Sequence, residues 1–117
     1  MKLSNMAIGC ALLGFLGIGS ASLQAAESGD PAAGARKNSM CKGCHGIPGY
    51  QTVFPEVYRV PKLGGQHAAY LEKALQEYKA GNRSHPTMRA IAAGLSDKDI
   101  ADLAAYYGNE TPKTAAK

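Results

Sequence analysis

Cys41-Lys42-Gly43-Cys44-His45 is the stretch on which the fold turns. Two thiols three positions apart, with an imidazole directly after the second, can address one planar ring together. Both cysteines can add to the vinyl groups along one edge of a haem as thioethers, and His45 then meets the iron from one face. Other uses of this spacing fit the rest of the chain less well. A thioredoxin-like Cys-x-x-Cys needs a βαβ setting, and no segment alternates convincingly with the period of two that marks strands. A structural zinc site needs four ligands at matched spacings, and His67 and His85, the other two histidines, supply no such pair. A plain Cys41–Cys44 disulfide would staple almost nothing.

Downstream of the motif, an iron held by His45 needs a sixth ligand from elsewhere in the chain. Met88 lies in Ser84-His85-Pro86-Thr87-Met88, where Pro86 fixes the backbone just before it. Ordinary core filling is the common fate of a methionine, but Ser84, His85, Thr87 and Arg89 surround this one with polar groups. His85 is the rival ligand and would give a bis-histidine site. Met40 adjoins the attachment motif and cannot reach the opposite face, and His67 reads as a surface residue of its helix.

Helix signals flank these positions. Asp30 is an N-cap with Pro31 at the first helical position, and that helix is expected to reach about Cys41. Gly43 to Gly65 is irregular, with five Gly and three Pro, a length that in so small a domain normally wraps something. A second helix spans about Gln66 to Ala80, with Leu71, Ala74, Leu75 and Tyr78 in one stripe and Gly81 as its stop. A short helix follows Pro86 and ends at Gly94. The last is capped by Ser96 with Asp99 completing a capping box, buries Ile100, Leu103, Ala104 and Tyr107, and ends at Gly108. The expected fold is all-α, about four short helices around one functional loop.

Upstream, Met1-Lys2 followed by an uncharged run from Met6 to Ser20, then Ala21, Ser22, Ala25 and Ala26, has the order of a secretory signal peptide. Residues 1–25 are read as that leader, 26–110 as the folded domain and 111–117 as a frayed tail. An uncleaved anchor is the alternative, since the run approaches spanning length. Cys10 sits inside the apolar run, where a lipid-attachment cysteine would follow it, and it leaves with the leader.

The bulk numbers agree with one small domain. The 117 residues hold two Phe, six Tyr and no Trp, so large core material is scarce. Domains of this kind need a staple, and Cys41 and Cys44 alone make no disulfide framework, which leaves a bound group. The net charge of +4 comes from scattered residues, without the basic clusters interleaved with aromatics that nucleic-acid binding needs.

Taken in order, Cys41 to His45, Pro61-Lys62-Leu63-Gly64-Gly65-Gln66, Tyr70-Leu71, Gly81-Asn82-Arg83, Met88 and Leu95-Ser96-Asp97-x-Asp99-Ile100 resemble the class I c-type cytochromes. In detail they are similar to one half of the bacterial two-haem c-four cytochromes, or their single-haem relatives, over about Gly29 to Tyr107. The resemblance implies the cytochrome c fold around one covalent haem c. It implies that a small residue, Gly34, meets Tyr106 or Tyr107 where the first and last helices cross. It also implies that the Pro61 carbonyl accepts a hydrogen bond from the His45 imidazole, and that Tyr70 and Leu71 pack along the haem edge. Only one attachment motif is present, so one haem is expected. Gly49 to Val60, with Tyr50, Phe54 and Tyr58, is longer and more aromatic than the resemblance leads one to expect, and reads as extra packing over a small core, with a haem lid or a partner patch as the alternatives.

Ligation by His45 and Met88 would keep the iron six-coordinate in both redox states and raise its potential. No nucleophile, base or oxyanion arrangement is visible. The expected function is a periplasmic single-electron carrier and not an enzyme. Its partners would be a donor dehydrogenase or quinol-oxidising complex and an acceptor oxidase or reductase, with docking on a membrane complex as one form of that encounter. The alternatives are a fixed haem subunit of a larger dehydrogenase and a five-coordinate sensor or peroxidase-like protein in which Met88 is not bound.

Overall fold

The computed structural model describes residues 28–54 and 56–110. The leader assigned to 1–25 and the tail assigned to 111–117 lie outside them. Among the described residues there are five helices, α1 (Pro31–Lys37), α2 (Ser39–His45), α3 (Ala68–Ala80), α4 (Pro86–Ala93) and α5 (Asp97–Asn109). One short antiparallel ladder joins β1 (Gln51–Thr52) to β2 (Tyr58–Arg59). No helix among the described residues is long and apolar enough to cross a membrane.

The first expected helix is in fact two. Asp30 caps α1 by accepting the Ala32 N–H at 2.9 Å, as its sequence suggests. The helix then breaks at Asn38, which is buried and whose carbonyl accepts from the N–H groups of both Cys41 and Lys42 at 2.9 Å. That carbonyl starts α2, so the attachment motif lies on helix through His45, where an irregular stretch from Gly43 was expected. The stop of α3 is as read: Gly81 takes φ +83°, its N–H bonds Tyr78 at 3.1 Å, and Asn82 N–H bonds Glu77 at 3.0 Å, the paired bonds of a Schellman end. The Ser96–Asp99 capping box is present in both directions. Gly108 does not end α5, which runs one residue further.

The core is thin. Helix α5 packs on α1 and α3, and α4 packs on α3. The main buried cluster is Leu71, Leu103, Ala104 and Tyr107. The α1–α5 crossing is close because Gly34 has no side chain. A Cβ there would fall on the Asp102 carbonyl and 2.7 Å from the Tyr106 Cβ. Of the two tyrosines expected at this crossing it is Tyr106 that meets Gly34, while Tyr107 turns inward.

Asp102, 1% exposed, ties the same crossing together. It accepts from Lys98 at 2.5 Å, from the Asp30 N–H at 2.7 Å and from Lys37 at 2.9 Å. These donors hold its carboxyl well below the usual carboxylate range. Asp99, bonded to Lys37 and then to Ser96, is lowered to about 2. Because both folded-state values are depressed, the stability they contribute is full above the ordinary carboxylate pKa of about 4 and is lost as pH falls toward them. Thermal melts of the holoprotein should therefore be flat between about pH 7 and 5 and fall between about pH 4 and 2. Asp99→Asn should melt lower above about pH 4 and approach the wild type toward pH 2, with a shallower acid limb; an unchanged acid limb would remove Asp99 from the account.

The packing expected of Gly49 to Val60 is not made by Val53, Phe54 and Val57, which are 81%, 85% and 70% exposed. The ladder has only two residue pairs, and its inward pair, Thr52 and Tyr58, is the part that is half-buried.

Candidate functional site

Helix α2 sets Cys41 and Cys44 on one face, since residues three apart are neighbours on a helix. Both thiols are free and half-buried. Burial raises the pKa of Cys41 above its ordinary value. Burial likewise raises Tyr107, whose hydroxyl lies against that thiol.

His45 follows at the end of α2. Its Nδ1 stands 2.7 Å from the Pro61 carbonyl oxygen. A carbonyl can only accept, so Nδ1 is the N–H donor. The segment after Pro61 is anchored to α5 by the Gly65 N–H, which bonds the Tyr107 carbonyl at 3.0 Å.

Met88 comes from another element. Pro86 opens α4, and His85 caps it by accepting the Met88 N–H on Nδ1 at 3.2 Å. The His85 ring also packs on Tyr58, with centroids 4.4 Å apart, and on Tyr78 at 6.2 Å. His85 is thus built into the start of α4, while the Met88 side chain is half-buried beside it.

A cavity of about 380 Å³ brings these groups together. Its wall includes Cys41, Cys44, His45, Pro61, Tyr70, Leu71 and Met88, with His85 also on it. The α3 stripe of Leu71, Ala74, Leu75 and Tyr78 faces it, as do Leu103 and Tyr107 of the buried cluster. His67 is an exposed cap of α3 and is not part of the wall. A second groove of about 520 Å³ beside α4 contains neither cysteine, nor His45, nor Met88. The apolar stripe of α3 would close on side chains in an ordinary helical domain; here it closes on space edged by two thiols, an imidazole and a thioether. That donor set and that apolar wall fit a haem. Among the described residues no three His, Cys, Asp or Glu side chains gather as a metal cluster.

Three wall residues have roles that the sequence does not announce. Tyr58 reaches the cavity only because the ladder turns it inward, Tyr107 because α5 rotates it away from Gly34. Arg83 is held over the Tyr78 ring, 5.0 Å from its centroid, and donates to the Tyr70 hydroxyl at 3.4 and 3.5 Å. Its place in Gly81-Asn82-Arg83, just past a helix stop, is a signal of position but not of partner.

A helical wrap around one cavity, edged by a Cys-x-x-Cys-His helix, defines a protein that carries covalent haem c. The chain belongs to the cytochrome c family, whose profile matches residues 31–108. It is 45% identical over 86 residues to cytochrome c-554(548) of Halomonas halodenitrificans, a match covering 71% of this chain and 99% of that one. It is 42% identical over 91 residues to cytochrome c4 of Thiocapsa roseopersicina, covering 77% of this chain and 44% of the relative. Among solved structures, reduced recombinant cytochrome c4 from Pseudomonas stutzeri matches with a TM-score of 0.53 and 34% identity, covering 72% of this chain and 51% of that chain. The chain therefore spans about half the length of the cytochrome c4 proteins it matches and nearly all of cytochrome c-554(548). Its helical architecture is the cytochrome c fold, and its cofactor is haem c.

Proposed function

We propose that this protein is a periplasmic single-electron carrier whose haem is bonded to Cys41 and Cys44 and ligated by His45 and Met88. The observation that carries the reading is the shared wall: both thiols, His45 and Met88 border one cavity. Bound haem c supplies a one-electron iron couple. The chain's own residues do the rest. The thiols of α2 tie one edge of the ring to the helix. The Pro61 carbonyl fixes the His45 tautomer and makes Nε2 the ligating, more basic nitrogen. His85 holds the first turn of α4, from which Met88 is presented, by binding the Met88 N–H. The wall formed by α3, Leu103 and Tyr107 excludes water, which with a thioether ligand favours the reduced state and raises the potential. With His45 and Met88 both on the wall to hold the iron, a bound haem would exchange electrons with little rearrangement, and no substrate site is needed.

Residues 26–110 are taken as the haem domain and 1–25 as the exporting leader, which places attachment on the outer side of the inner membrane. Donor and acceptor are redox proteins, the donor a dehydrogenase or quinol-oxidising complex and the acceptor an oxidase or reductase. The test is the optical spectrum of protein matured in a haem c-competent host, taken oxidised, reduced, and reduced under carbon monoxide. The expected result is sharp low-spin bands, a weak long-wavelength sulfur-to-iron band when oxidised, and no response to carbon monoxide. A ready carbon monoxide shift would discard the carrier, and a haem that is not covalent would discard the attachment.

A further inference from the structure

The turn that presents Met88 is capped by an imidazole, which is not among the side chains that usually start a helix. Asp, Asn, Ser and Thr cap with an oxygen on a short side chain. His85 caps with one nitrogen on the edge of a rigid ring, so the Met88 N–H at 3.2 Å finds its acceptor only when that ring is turned to face it. Pro86 settles the backbone, keeping the preceding residue extended at φ −169° and ψ 105°. It leaves the ring free to turn.

Tyrosines on either element beside it stop that rotation. Tyr78, from the stripe of α3, meets the His85 ring edge-on with centroids 6.2 Å apart. Tyr58 lies closer, at 4.4 Å and tilted by 40°. It comes from the aromatic segment Gly49 to Val60, which the carrier reading leaves unexplained. The ladder pairs Tyr58 with Thr52, and its hydroxyl donates to the Glu56 carboxylate at 2.8 Å. The hydroxyl is thereby occupied within the hairpin, and the ring is what meets His85. Tyr58, His85 and Met88 all stand on the wall of the same cavity.

From this arrangement we infer that Tyr58 is a positioning residue for Met88: its ring holds the His85 imidazole in the orientation that caps α4, and the capped turn keeps the thioether available to the iron. The inference rests on the Met88 reading of the sixth ligand. The hairpin that follows the attachment helix in the chain thus braces the helix that carries the second ligand. A ring pair of this kind is worth about three- to tenfold in an equilibrium.

The experiment titrates the oxidised mature holoprotein with imidazole, which competes with the thioether for the iron, and follows loss of the sulfur-to-iron band. Tyr58→Leu should lower the imidazole concentration at half-loss by about three- to tenfold. Tyr58→Phe keeps the ring and should retain most of the wild-type resistance. Asp99→Asn weakens the fold at the α1–α5 crossing, off the cavity wall, and should stay within about twofold of the wild type. Easier entry of imidazole past a smaller side chain is separated by combining Tyr58→Leu with His85→Ala. Acting through His85, the Tyr58 change should add nothing to His85→Ala, whereas easier entry would add its full effect. Hydrogen exchange at the Met88 N–H of the reduced protein should quicken in Tyr58→Leu and not in Tyr58→Phe. If Tyr58→Leu does not mature, Tyr58→Ile takes its place, since its branched side chain suits a strand. A Tyr58→Leu midpoint within the Asp99→Asn change, a Tyr58→Phe loss as large as that of Tyr58→Leu, or losses that add in the double variant would overturn the assignment. Failure of the Met88 reading itself would show differently, in oxidised wild-type protein without the sulfur-to-iron band.

Discussion

Met88→Ala should convert a protein indifferent to carbon monoxide into one that binds it when reduced, while its haem stays covalently attached. With the attachment proposed on α2 and the ligand proposed on α4, removing the Met88 thioether should open one coordination position without disturbing Cys41, Cys44 or His45. The sulfur-to-iron band of the oxidised protein should vanish. The potential should fall by on the order of 0.2 V, a fraction of the roughly 0.8 V that axial ligand identity spans. His85→Ala makes the complementary case. His85 accepts the Met88 N–H at 3.2 Å, so its loss frees an end of α4 and should cost about 1 kcal/mol, as other N-cap deletions do. The sulfur band should survive that loss, although the helix that carries Met88 is less firmly started. Low-spin spectra retained in Met88→Ala, together with their loss in His85→Ala, would assign the sixth position to His85 instead.

The parts of this molecule that were legible in the sequence are those in which chemistry or local backbone dictates the answer. Cys41, Cys44 and His45 must be adjacent to serve one ring, so their spacing speaks directly. The stops and starts at Gly81, Pro86 and Ser96 are local events decided by a missing Cβ, a fixed φ and a hydroxyl. What stayed hidden depends on contacts across the chain. The break at Asn38 splits a helix whose residues would all tolerate continuation, because its buried carbonyl serves the next turn rather than the last. Asp102 lies between Ala101 and Leu103 on the buried side of α5 and would pass for an error of patterning. It becomes intelligible only when Lys37 and the Asp30 N–H arrive from α1. The hairpin tip misleads for the opposite reason: Phe54 and its valines look like core material, yet a ladder two pairs long cannot fold them back. Arg83 is visible as a cation, but its grip by Tyr70 and Tyr78 exists only once α3 has turned.

Gly34→Ala should be among the most damaging single-methyl additions available to this fold. Helix α1 is only seven residues long and cannot hold itself together in isolation. Its place is fixed by the crossing with α5, where a Cβ at position 34 would land on the Asp102 carbonyl and press on Tyr106 at 2.7 Å. Neither neighbour can step aside cheaply. The carbonyl belongs to the middle of α5, and the Asp102 side chain is pinned by Lys98, the Asp30 N–H and Lys37. Separating the helices to make room would lengthen those bonds and loosen the buried carboxylate, so the overpacking cost of about 1–3 kcal/mol should be exceeded. For a domain of this size that corresponds to a fall in Tm on the order of 10 °C or more. Gly94→Ala is the control. It also adds a methyl to a glycine beside a helix, but the nearest atom to the added Cβ is the Ile91 carbonyl oxygen at 3.6 Å, an ordinary contact. Melting both variants as holoproteins separates crowding at the crossing from a general penalty for replacing glycine. A Gly34→Ala protein that melts with Gly94→Ala would mean that α1 is held by its ion pairs alone and that the close crossing contributes nothing.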